Sequence, residues 1–85
     1  MNKQEIQEII SHLQSSIKRR CRMINDMTFA TEYTLQNAKD SVTDKKLWRC
    51  YHENKTLRNL YVKDQILEKK MLKHFYMQLK NLHRQ

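Results

Sequence analysis

The chain contains neither glycine nor proline, the two residues that most often punctuate local structure. Their absence rules out the glycine-rich loops that cradle phosphates. It also leaves Asn or Asp to supply any turn that needs positive φ. Long helices with few, simple connections are therefore expected. Long apolar runs are missing too, so no segment approaches the roughly 20 apolar residues of a spanning helix. No hydrophobic leader core follows Met1, because Lys3, Glu5 and Glu8 interrupt it. Cysteine occurs only as Cys21 and Cys50, which form no CxxC pair. Two reduced, partly buried thiols in a cytoplasmic or nuclear protein, not a secreted one, are the expectation.

What remains favours helix. Leu, Ile, Met, Lys, Gln and Glu are abundant, and all are good or fair helix formers. Hydrophobic residues make up 39% of the 85, enough apolar material for a folded chain. That length allows one domain with a modest core.

Apolar residues Ile6, Ile9, Ile10, Leu13, Ile17, Cys21, Met23 and Ile24 recur at steps of three and four, which marks one helical face. The pattern weakens at Asn25-Asp26 and resumes through Met27, Ala30, Thr31, Leu35, Ala38 and Val42. A continuous helix over 4–39 is favoured, and a break near 25–28, with Thr28 as cap, is the alternative. Residues 40–44 read as a turn: Ser41 followed by Asp44 resembles a capping box, with Thr43 as a second candidate cap. A second helix over 45–82 follows. The predicted architecture is all-α, an antiparallel helical hairpin or coiled coil; a three-helix bundle is the alternative.

Folding back at 41–44 makes opposed residue numbers sum to about 85. Ile6 then meets Leu79, Ile10 meets Phe75 and Leu13 meets Leu72, while the basic group around Lys18 lies beside Glu68 and Cys21 beside Asp64. In the second helix Leu57, Leu60, Leu67, Met71 and Phe75 are taken as the seam. Trp48, Val62 and Tyr76, with Ile66 and Met77 nearby, then form a surplus stripe. A two-helix hairpin needs one seam, so a second stripe points to self-association or to a partner helix. The alternative is that such stripes drift around a long helix and leave large residues exposed. The expected interface residues are Trp48, Tyr51, Leu60, Tyr61, Val62, Ile66, Leu67, Phe75 and Tyr76.

Acidic residues are scarce, 9 against 17 Lys and Arg, and the net charge is +8. Residues 1–44 hold six of each sign, whereas residues 45–85 hold eleven cations and three acids. Such asymmetry speaks to partners, not to fold. The expected basic surface comprises Lys18, Arg19, Arg20, Arg22, Lys45, Lys46, Arg49, Lys69, Lys70 and Lys73. At least one of the cluster 18–22 must fall near the seam and snorkel outward.

Chemistry finds little support. His12, His52, His74 and His83 show no HExxH or i,i+4 pair, and two histidines brought together by the hairpin would still lack a third zinc ligand. Cys50 and His52 point in different directions on a helix. Asp64 and Glu68, one turn apart, fit ion pairs with neighbouring cations better than acid–base work. No catalytic residue, metal or cofactor is expected, and a thin hairpin lacks a deep pocket for pKa tuning. The functional expectation is a non-catalytic module that binds itself or another helical protein with an acidic surface, as a small subunit or regulator. The alternative is a DNA- or RNA-binding accessory protein contacting the phosphate backbone, although no zinc-finger or helix-turn-helix spacing is present. A membrane-surface role has less in its favour.

Overall fold

In the computed structural model, which describes residues 1–84, the chain is an antiparallel hairpin of two long helices. Helix α1 spans Lys3–Asp40 and α2 spans Lys45–His83. The molecule measures 65 × 14 × 14 Å. Helix α1 runs unbroken through Asn25–Thr28. The Thr28 hydroxyl caps nothing; it bonds the Ile24 carbonyl at 2.8 Å within the helix, and Thr31 and Thr34 do the same toward Met27 and Ala30.

The turn is made without left-handed backbone: among the described residues none has positive φ. The Asp44 amide donates to the Ser41 carbonyl at 2.9 Å and closes a four-residue turn. Asp44, not Ser41 or Thr43, caps α2, and its Oδ1 accepts from the Lys46 and Leu47 amides at 3.0 and 3.4 Å. Ser41 instead ends α1, donating its amide to the Asn37 and Ala38 carbonyls. Asp44→Ala is expected to cost about 1 kcal/mol of stability, read as a lower midpoint in urea with unchanged slope.

The seam follows a strict heptad. On α1 it is Ile6, Ile10, Leu13, Ile17, Arg20, Ile24, Met27, Thr31, Thr34 and Ala38, none of them exposed. On α2 it is Leu47, Tyr51, Asn54, Arg58, Tyr61, Gln65, Glu68, Leu72, Phe75, Leu79 and Leu82, all half-buried. Steps alternate between three and four, the spacing that keeps one stripe against a partner helix. This corrects the seam expected for α2. Phe75 belongs to it, but Leu57, Leu60, Leu67 and Met71 are 39–57% exposed. The apolar count misled because leucines are more frequent off the seam than on it in the middle of α2, where Asn54, Arg58, Gln65 and Glu68 hold the heptad positions.

Cross-helix bonds set the register. Bonded partners sum to between 84, for Arg20 with Asp64, and 90, for Gln14 with Tyr76. Arg20, rather than Lys18, therefore lies opposite Glu68. Only Ile6, Ile10 and Ala38 are buried among the described residues. Two of these three lie toward the open end of the hairpin, where the heptad positions are apolar on both helices.

Candidate interaction surface

The polar middle of the seam is internally satisfied. Arg20 Nε donates to Glu68, and its Nη1 lies 3.4 Å from Asp64 Oδ2. Burial alone would raise the Glu68 pKa. Hydrogen bonds from Ser16 and Arg20, with the charges of Arg20 and Arg19, outweigh burial and hold this carboxyl below its ordinary range. Arg58 Nε donates to Thr28 Oγ1 at 2.6 Å, and Asn54 reaches Thr34 Oγ1 at 3.5 Å. Arg20 is therefore withdrawn from the expected basic surface into an intramolecular ion pair. Lys18, Arg19, Arg22, Lys45, Lys46, Arg49, Lys69, Lys70 and Lys73 are all exposed.

The expected interface residues divide into three groups. Tyr51, Tyr61 and Phe75 occupy the hairpin's own seam and are half-buried there. Trp48 and Val62 flank it. The Trp48 indole N–H donates to the Val42 carbonyl at 2.8 Å, and the ring sits edge-on to Tyr51, 6.2 Å between centroids. Trp48 thus clamps the turn, a role its spacing did not disclose. Leu60, Leu67, Ile66 and Tyr76 remain exposed, although Tyr76 accepts a bond from Gln14.

Leu57, Leu60, Leu67 and Met71 share one side of α2, rotated about 100° from the seam at the helical step of 100° per residue. Seven-residue steps place Arg49, Lys63 and Lys70 along the neighbouring outer edge. A shallow concavity of about 500 Å³ lies on this side, lined by Arg49, His52, Glu53, Thr56, Leu57 and Leu60. Helix α1 adds exposed apolar residues that periodicity alone passed over. Phe29 is 74% exposed and Tyr33 62%; Met23, which periodicity placed on the helical face beside Ile24, is exposed as well and lies off the seam. Their signal was present: both aromatics break the three-four spacing of the α1 stripe, which puts them off the seam.

Ten of the eleven cations after residue 44 are exposed; the exception is Arg58. Of the three acids there, Asp64 and Glu68 are engaged by Arg20. The outer surface of α2 is accordingly basic. Cys21 and Cys50 are free and exposed, not partly buried as expected; neither falls on the heptad seam. His74 bonds Gln78 at 3.0 Å and packs edge-on against Phe75. Among the described residues no three His, Cys, Asp or Glu side chains converge as metal ligands, and no helix is long and apolar enough to cross a membrane. Comparison with protein-family models, curated proteins and solved structures finds no match for the chain.

Proposed function

We propose that the chain is a non-catalytic helical interaction module, a small subunit or regulator of a larger assembly that engages its partner chiefly through α2. The row Leu57, Leu60, Leu67 and Met71 carries this reading. These are large apolar side chains at helical spacing on a helix whose own seam is already filled by other residues. Twelve large hydrophobic residues are exposed among the described residues, against two, Ile6 and Ile10, that are buried. A chain of this size gains stability from apolar burial, at about 25 cal/mol per Å², and the hairpin alone leaves much of that gain unused. Association would recover it. The non-catalytic part of the reading rests on the 14 Å cross-section, which leaves concavities open to water, and on the shifted carboxyl, Glu68, being held in an ion pair.

Native mass spectrometry of the chain purified from the cells that make it is expected to show a species heavier than the 10.5 kDa monomer. A folded monomer that carries nothing else overturns the reading. The exposed cations of α2 favour a second one, contact with a nucleic-acid backbone. Its signature would be binding to a labelled duplex that weakens steeply with salt and falls on charge removal at Lys69, Lys70 and Lys73, whatever the sequence.

A further inference from the structure

We propose that the side of α2 bearing Leu57, Leu60, Leu67 and Met71 docks one acidic amphipathic helix of another protein. The inference rests on the interaction-module reading and names the partner's chemistry. From Leu57 to Met71 the row is about 21 Å long at 1.5 Å per residue, the length of four helical turns. It is a narrow line and not a broad patch, which suits the apolar stripe of one helix laid alongside. Position 64, the one polar interruption, is Asp64, whose carboxylate is already drawn toward Arg20 at 3.4 Å.

Charge selects the occupant. Arg49, Lys63 and Lys70 recur at seven-residue multiples on the edge next to the row, all exposed. A partner helix seated on the leucines would bring its flanking positions over Lys63 and Lys70, as e and g positions do in coiled coils, with Arg49 about two turns beyond Leu57. Acidic residues there would be attracted; basic ones would be repelled. A second copy is the wrong occupant on the same ground. Each chain carries +8, and pairing this side with itself would set one cation row against another. Glu53 is the one acid of α2 outside the Arg20 cluster, too few to compensate.

The probes are two labelled 18-residue helical peptides with leucine at every a and d position, one with glutamate and one with lysine at the flanking positions. Titrated with the full chain and followed by fluorescence anisotropy, the glutamate peptide is expected to bind at least ten-fold more tightly. Leu60→Glu/Leu67→Glu changes exposed residues, so helicity by circular dichroism should persist while glutamate-peptide affinity falls at least ten-fold. Lys63→Glu/Lys70→Glu should remove or reverse the preference between peptides.

Equal binding of both peptides, binding of neither, or indifference to Leu60→Glu/Leu67→Glu overturns the proposal. Light scattering separates the ways it can fail. A dimer that Leu60→Glu/Leu67→Glu splits would make a second copy the occupant, so this inference fails while the interaction module stands. A monomer that ignores both peptides but binds a labelled duplex would remove both.

Discussion

Replacing Ile10 with alanine is expected to lower the stability of the hairpin by about 2–4 kcal/mol, whereas Leu67→Ala should change it by about 0.5 kcal/mol or less. The contrast comes from placement. Ile10 is 6% exposed and lies in the apolar end of the seam, opposite residues of the Leu72–Leu82 stretch. Truncation there removes transfer free energy and leaves a gap that two rigid helices cannot close. Leu67 is 57% exposed and touches solvent over most of its surface. For a domain of this size each kcal/mol moves the thermal midpoint by about 4–8 °C. Ile10→Ala should therefore melt at least about 8 °C below the parent by circular dichroism, with Leu67→Ala nearly superimposed on the parent. Similar losses for the two variants would mean that α2 turns a different face to α1. Measured in the presence of a bound partner, the order should change, since Leu67 would then be covered.

Arg20→Met is expected to be the most damaging polar substitution, at about 2 kcal/mol near neutral pH. That figure lies between the small effects of exposed pairs and the larger ones of buried pairs. Side-chain exposures of 24% for Arg20 and 13% for Glu68 place the pair in between. Removing arginine leaves the Glu68 carboxylate in the seam with its principal charge partner gone. Removing both partners, in Arg20→Met/Glu68→Leu, should restore most of the loss, because the desolvated charge disappears with its counter-ion.

The pH dependence has a definite sign. Glu68 is held below its ordinary value of 4.5 in the folded chain. The native state therefore binds that proton less readily than the unfolded chain does. Its contribution is full above pH 4.5 and is lost as pH falls through the depressed native value. Urea midpoints measured from pH 7 down to pH 3 should fall more steeply for the parent than for Arg20→Met/Glu68→Leu. Parallel profiles would show that the pair adds nothing to the acid sensitivity.

Much of this architecture is legible in the order of the residues. Without glycine or proline, and with apolar residues at three-four spacing, the first arm reads as helix, but the weak pattern at Asn25-Asp26 leaves one helix or two open until the structure shows α1 unbroken. The Asp/Ser/Thr cluster at 40–44 locates the turn, since short polar side chains compete there for backbone hydrogen bonds. The pairing of basic residues near 18–22 with Asp64 and Glu68 also follows from folding the chain at that point. The need for one residue of this cluster to enter the seam is visible too, and Arg20 is that residue.

Which face of α2 turns inward is a different matter. Counting leucines selects Leu57, Leu60, Leu67 and Met71, because hydrophobicity is the strongest local signal and those residues share a side. The inward face is instead chosen by what α1 presents opposite. Arg20 needs Glu68 and Asp64, while Thr28 and Thr34 meet Arg58 and Asn54. Polar complementarity between two helices is a property of their register, and neither helix contains it alone. Trp48 shows the same limit: its spacing resembles an interface anchor, but its indole N–H finds a backbone acceptor only after the turn brings Val42 within 2.8 Å.

By itself the sequence determined that this is a basic, helical chain with a turn at 40–44 and with its excess charge after that turn. Periodicity and composition are local, and they suffice for that. That the first arm is one helix and not two was settled by the structure. Only the tertiary structure decided which stripe of α2 is spent on α1 and which is left over, because that choice depends on pairing partners distant in the chain. The leucine row, which local pattern assigned to the hairpin's own interior, is the one that remains outside.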